Sequence, residues 1–139
     1  MDLSTLFADI NWSAVVAAAV GSMAWGFVWY HPSVAGKRWQ KAVGLSKKAS
    51  QSGADAVTMI SMIVMSMLTA TVLGTLLANV TGVVDGLFDA TALGTGLAVT
   101  GQTTMYMFAK LRTDLVIIDG LFMVLNFALM GAIFGILAS

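Results

Sequence analysis

The sequence predicts an all-α integral membrane protein built as a bundle of four transmembrane helices. One reason is composition: of the 139 residues, 58% are hydrophobic and only 10% are charged, whereas soluble domains average about 25% charged residues. Another is charge placement, because every Lys and Arg falls in one of two short windows among long apolar stretches. Roughly 20 apolar helical residues cross the hydrocarbon core of a bilayer, and four stretches of this chain are long enough.

The ends of the apolar stretches mark the predicted loops. The first stretch ends at His31 and Pro32, because proline lacks an N–H and disfavours helix in the residue before it. The second ends near Gly82, in a segment typical of a turn, and the third ends at the charged segment 110–114. The predicted spans of this single domain, residues 1–139, cover about residues 12–30, 56–80, 87–109 and 115–138.

The distribution of charge predicts the orientation in the membrane. The second loop carries Asp85 and Asp89, while the first and third loops carry every basic residue, so the positive-inside rule places these two loops in the cytoplasm and both termini outside. The N-terminal segment carries Asp2 and Asp9 and no basic residue, which favours a retained first span over a secretory signal. The basic residues are Lys37, Arg38, Lys41, Lys47 and Lys48 in the first loop and Lys110 and Arg112 in the third.

The first loop, residues 31–55, is the only sizeable segment outside the predicted spans. Ala35, Trp39 and Val43 recur at helical spacing, with most of the basic residues on other faces. This pattern predicts a short interfacial helix with Trp39 at the depth of the lipid headgroups. An irregular loop with snorkelling lysines is the alternative. The polar segment 46–53 is expected to be mobile.

Small residues recur at every fourth position in the predicted spans. Helices associate in lipid through close approach at such residues. The stripes therefore predict either a tight bundle within one protomer or contacts between protomers. They consist of Ala18, Ser22 and Gly26 in the first span, Ser66, Ala70, Gly74 and Ala78 in the second, Gly94 and Ala98 in the third, and Ala128, Gly131, Ala132 and Gly135 in the fourth.

Asp119, Gln102, Asn126 and Ser22 are the candidate polar side chains at membrane depth, and Thr100, Thr103 and Thr104 add hydroxyls. An acid there is costly and faces protein or water, so Asp119 attracts most interest. Antiparallel neighbours would place Gln102 between Asp119 and Asn126. One hypothesis is a polar pathway, or a site for a proton or small ligand. The other is a set of interhelical hydrogen bonds worth about 0.6 kcal/mol each, or Asp119 paired with the basic residues of the third loop.

Other classes of site find little support in the sequence. With no cysteine and a single histidine, His31, no metal site is predicted, and His31 is expected to have a helix-end or interfacial role. No hydrolase motif, P-loop or dinucleotide fingerprint occurs, so neither an enzyme nor a cofactor is expected. Nucleic acid is not an expected partner, because no basic surface remains once the loops are assigned. Trp29 and Tyr30 are predicted to be interfacial anchors.

Two stretches carry a family resemblance. One runs through Asn11-Trp12, Trp29-Tyr30-His31-Pro32, Gly36-Lys37-Arg38-Trp39 and Gly44-Leu45; the other runs through Arg112-Thr113, Ile118-Asp119-Gly120 and Met130-Gly131-Ala132-Ile133-Phe134-Gly135. Over nearly its whole length the chain resembles domain of unknown function 1761, a family of small bacterial membrane proteins without an established activity. The resemblance implies a four-span fold in the bacterial cytoplasmic membrane, with Asp119 and the Trp29-Tyr30 corner as signature positions. The chain departs from the family pattern in two places. Family members often have a Tyr shortly after the Ile-Asp pair, where this chain has Phe122, and an acidic residue near the end of the third span, where this chain has Ala109-Lys110.

Two functions remain as hypotheses, and the surroundings of Asp119 distinguish them. A small transporter or channel, with Asp119, Gln102 and Asn126 along its path, predicts that Asp119 faces a hydrated cavity. An accessory or structural subunit of a membrane complex predicts a bundle sealed by Gly and Ala contacts, with Asp119 only hydrogen-bonded. In either case we expect the lipid bilayer as surroundings and a homo-oligomer or a membrane-protein partner.

Overall fold

The computed structural model describes residues 7–138, and Asp2, used above in the prediction for the N-terminus, lies outside them. The described residues form helices and no strand. Four helices have the length and apolar composition of a membrane span, namely Trp12–Trp29, Ala56–Leu76, Val83–Phe108 and Thr113–Leu137. The predicted four-span, all-helical fold is therefore confirmed.

Within residues 7–138, seven α-helices and two π-helical segments build these spans and the first loop. The first span is α1 (Trp12–Trp29), and the first loop contains a π-helical turn (Pro32–Gly36), α2 (Lys37–Val43) and α3 (Lys47–Ser52). The second span is α4 (Ala56–Leu76). The third span consists of α5 (Val83–Leu93), a second π-helical segment (Gly94–Val99) and α6 (Thr100–Phe108), and the fourth is α7 (Thr113–Leu137).

Two spans begin at side chains that cap their first turn. Asn11 accepts a hydrogen bond from the backbone N–H of Ala14 at the start of α1 (3.1 Å) and donates one to the Leu137 carbonyl near the end of α7 (2.8 Å). Asp55 accepts from the backbone N–H of Thr58 at the start of α4 (2.7 Å), which lowers the pKa of its carboxyl. Capping residues of this kind satisfy amides that have no partner within the helix.

The turn between the second and third spans differs from its prediction. The second span ends at Leu76 and the third begins at Val83, four residues before its predicted start, so Asp85 lies in α5. Asp89, which was predicted in the second loop although it follows the predicted start of the span, also lies in α5. Both acids are exposed. Asp85 stands in the first turn, where the positive end of the helix dipole favours an acid.

The first loop is more helical than predicted. Helix α2 forms where the spacing of Trp39 and Val43 predicts it, so the irregular alternative for this part is wrong. The polar segment 46–53 also contains a short helix, α3. The Ser46 hydroxyl accepts from the backbone N–H of Ala49 (3.2 Å) and so starts this helix.

The spans pack in an order that differs from their order along the chain. Helix α1 packs against both α4 and α7, and α7 packs in turn against the third span. The core lies along these contacts and includes Ala14, Val15, Ala18, Ala70, Leu73, Ala90, Met130 and Phe134. An outward-facing apolar groove of about 300 Å³ separates the second span from the third, with Phe127 of α7 among its lining residues.

Small residues bring α5 and α7 into direct backbone contact. A Cβ at Gly131 would overlap the Gly86 carbonyl oxygen and lie 2.5 Å from the Cβ of Ala90, and a Cβ at Gly135 would overlap the Gly82 carbonyl oxygen. The predicted small-residue stripe of the fourth span therefore packs within the protomer. Between α1 and α4 the approach is also close, because a Cβ at Gly74 would lie 3.0 Å from the Val15 side chain.

Candidate functional site

The carboxylate of Asp119 joins three of the four spans. Asp119 lies in the second turn of α7 and is only 5% exposed. The hydroxyl of Tyr30, the residue after α1, donates to Oδ1 (2.7 Å), and the hydroxyl of Tyr106 in α6 donates to Oδ2 (3.0 Å). Both tyrosines of the chain are thus hydrogen-bonded to this one acid. We call Asp119, Tyr30, Tyr106 and Gln102 the Asp119 cluster.

Gln102 belongs to this cluster through Tyr106 and not through direct contact with the acid. Its amide Nε2 donates to the Tyr106 hydroxyl (3.0 Å), which in turn donates to Asp119. The two residues are four positions apart in α6, so they lie on one face of the helix. The amide donor therefore leaves the Tyr106 proton directed at the carboxylate.

Packing on both sides holds the Tyr30 ring in place. Its centroid lies 5.1 Å from that of Phe122 in α7 and 5.4 Å from that of Trp39 in α2. The predicted anchor Trp29 ends α1 and packs on Trp25, with ring centroids 5.5 Å apart. Aromatic pairs at these separations stabilise a fixed arrangement. The aromatic residues at this corner thus position the hydroxyl that meets Asp119.

The turn after Tyr30 explains the residues that follow it in the sequence. The His31 ring nitrogen Nδ1 accepts from the backbone N–H of Ser33 (3.3 Å), so His31 has the predicted helix-end role. Pro32 is the first residue of the π-helical turn, where a missing N–H is tolerated. Gly36 closes the turn: its N–H donates to the His31 carbonyl (3.1 Å), and a Cβ there would overlap the backbone of Tyr30.

The other two polar residues predicted at membrane depth lie outside the Asp119 cluster. Asn126 is seven residues farther along α7, about 10 Å along the helix axis. It is 9% exposed, its Nδ2 donates weakly to the Met130 sulfur (3.7 Å), and its Oδ1 has no partner among the described residues. Ser22 is half-buried in α1 and has no hydrogen bond to the cluster.

A different acid, Asp114, forms ion pairs with basic residues of the first and third loops. Asp114, in the first turn of α7, accepts from Arg38 of α2 through Oδ1 and from Arg112 through Oδ2, both at 3.0 Å. The alternative in which Asp119 pairs with the basic residues of the third loop is therefore wrong. Among the described residues no three His, Cys, Asp or Glu side chains gather in a way that could hold a metal ion.

The comparison with known proteins matches this architecture to one family. The model of a family described as "Protein of unknown function (DUF1761)" matches residues 13–135. The chain belongs to this family. No curated protein and no solved structure matches it. The DUF1761 match covers nearly all of the four spans and the whole Asp119 cluster, so the cluster lies within the domain that the family shares.

Sequence reasoning missed Tyr106 in this DUF1761 chain and assigned Tyr30 only to the membrane surface. Tyr106 stands four residues after Gln102, near the end of the third span. A half-buried phenol needs a hydrogen-bond partner, and Asp119 is the buried acid at that end of the bundle. This was the available signal. The rotation of α6 that aims Tyr106 at α7 is not visible in the sequence.

Proposed function

We propose that the protein is a non-catalytic accessory or structural subunit of a complex in the bacterial cytoplasmic membrane. The observation that carries this proposal is the state of the Asp119 carboxylate. Each of its oxygens accepts a hydrogen bond from a tyrosine hydroxyl, and the residue is 5% exposed. A carboxylate in a transport pathway needs access to water or to the transported solute, whereas a carboxylate that links three spans needs hydrogen-bond donors on those spans, such as these two hydroxyls.

The contact between α5 and α7 supports the same proposal. Backbone approaches backbone at Gly86 and Gly131 and again at Gly82 and Gly135. Such contacts between small residues stabilise a helix pair in lipid, and they leave no space for a solute between these two helices. The Gly contacts therefore favour a sealed bundle with its binding surface on the outside.

The second span offers such a surface. In the first half of α4, residues 56–65, every residue except Met59 is exposed, and this includes Val57, Ile60 and Met65. The second half of the same helix is packed against α1 at Ala70 and Gly74. We propose that residues 56–65, called the exposed half of α4 below, contact a membrane-protein partner or a second copy of the chain.

A small transporter or channel is the second candidate, and one observation favours it. The Oδ1 atom of Asn126 is buried without a partner among the described residues, deep in the fourth span. A buried carbonyl oxygen of this kind is costly unless water or a ligand reaches it. A pathway for a proton or small ion would then include Asn126 as well as Asp119.

Native-gel analysis of the complex in mild detergent tests the accessory function. We expect a defined complex larger than the 14.5 kDa chain. The variant Ile60→Asn should dissociate this complex, because it places a polar amide in the exposed half of α4. Ile117→Asn is the matched control, since Ile117 is an exposed residue of α7 with similar exposure. A chain that always migrates alone, or equal loss in both variants, would refute the proposal.

Liposome flux measurements test the second candidate. Proteoliposomes of the wild type should show the same proton and ion flux as empty liposomes if the accessory function is correct. Flux above that background, lost in Asp119→Asn and in Asn126→Leu, would instead support transport. The Val20→Leu variant serves as the control for reconstitution, because Val20 is exposed and belongs neither to the Asp119 cluster nor to the exposed half of α4.

A further inference from the structure

Two arginines meet on one carboxylate at the end of the bundle that carries the basic loops. Arg38 Nη2 and Arg112 Nη2 each lie 3.0 Å from a different oxygen of Asp114. The arginine side chains are 73% and 58% exposed, while that of Asp114 is 29% exposed. The carboxylate thus holds two guanidinium groups side by side, and the three groups together keep a net positive charge.

This arrangement leaves most of the arginine donors available. A guanidinium carries five N–H donors in a planar fork, and the contacts with Asp114 involve only Nη2 of each arginine. Arginine forks match the oxygens of a phosphate group in geometry as well as in charge. Two forks fixed by a shared carboxylate are therefore preorganised for a phosphate.

The start of α7 adds to the positive potential. Arg112 is the N-cap residue of this 25-residue helix, and its side chain makes no capping hydrogen bond. The partial positive charge of a helix N-terminus favours an anion nearby. Lys37 is next to Arg38 in sequence, and Lys110 is two residues before Arg112. Asp55 is the only acid besides Asp114 in the two basic loops.

We propose that Arg38, Arg112 and Asp114 form a binding site for the headgroup phosphate of an anionic phospholipid. The apolar surroundings favour a lipid over free phosphate. Leu111, between the two basic residues of the third loop, is exposed, and so is Phe108 at the end of α6. A phospholipid whose phosphate is held by the two arginines can then extend its acyl chains along the exposed side chains of Leu111 and Phe108. This site is independent of the accessory function proposed above.

Lipid binding to the full-length protein, measured by native mass spectrometry, tests the site. The protein is titrated with phosphatidylglycerol and, in parallel, with phosphatidylcholine. We expect phosphatidylglycerol to bind more tightly, and Arg38→Gln and Arg112→Gln each to weaken it about tenfold, since each removes charge-assisted hydrogen bonds to phosphate. Arg38→Lys should also weaken binding, because a lysine keeps the charge but loses the fork.

Lys47→Gln is the matched control, because it removes the same charge from an exposed position in α3. It should change phosphatidylglycerol binding less than twofold. Equal losses in Lys47→Gln and Arg38→Gln would overturn the site in favour of a diffuse basic surface. Equal binding of the two lipids would overturn it as well. The same holds if inorganic phosphate at matched concentration displaces the lipid completely, since the site would then bind free phosphate.

Discussion

Replacing Gly131 with alanine tests the closest helix contact of the fold. A methyl group at this position would overlap the Gly86 carbonyl oxygen and lie 2.5 Å from the Cβ of Ala90, where ordinary contact begins near 3.4 Å. Helices α5 and α7 would therefore have to separate by about 1 Å, and overpacking of this kind costs about 1–3 kcal/mol. Alanine is also the better helix former by about 1 kcal/mol, so the measured loss should fall in the lower part of that range.

Gly120→Ala supplies the control on the same helix. Its added methyl group would meet only a Val99 methyl at 3.8 Å, which is ordinary van der Waals contact. This variant should be as stable as the wild type or more stable by up to about 1 kcal/mol. The assay is equilibrium unfolding in mixed detergent micelles, followed by the loss of helical circular dichroism. Equal stability of Gly131→Ala and Gly120→Ala would refute the close contact between α5 and α7.

Three further predictions concern the hydrogen bonds at the helix ends. Tyr30→Phe and Tyr106→Phe should each lower the free energy of unfolding by about 0.6–1.7 kcal/mol, and in the double variant the losses should not add, since both hydroxyls share Asp119; strict additivity would contradict this. Asn11→Ala should cost about 1 kcal/mol, measured by the same unfolding assay, and a neutral result would contradict the cap of α1. Because the pKa of Asp55 is lowered in the folded protein, its carboxylate stabilises the fold at neutral pH, and this stabilisation is lost as the pH falls through the lowered pKa. Asp55→Asn, whose amide still caps the helix, should remove this dependence of stability on acid pH in the same unfolding assay.

The sequence was sufficient for the spans and for the burial of Asp119 within the bundle, because hydropathy and an isolated acid are strong signals in a membrane protein. It was insufficient for Asp85 and Asp89, because charges are typical of loops. The first turn of α5 accepts Asp85 at the positive end of the helix dipole, and Asp89 lies exposed farther along the same helix. The sequence also did not show that Gln102 belongs to the Asp119 cluster while Asn126 lies outside it. Depth along a helix follows from residue number, but the direction of a side chain depends on how each helix is rotated against its neighbours.

The contacts along α7 indicate where the bundle is least constrained. Near its start, Asp119 joins α7 to the ends of the first and third spans. Near its end, Gly131 and Gly135 hold it against α5, and the Leu137 carbonyl accepts from Asn11. The second half of helix α4 packs against α1 at Ala70 and Gly74 and also approaches Phe134 of α7, whereas residues 56–65 are exposed except Met59. A partner that covers the exposed half of α4 would thus gain contacts without breaking any of those that fix α7, which is why we place the proposed interface there.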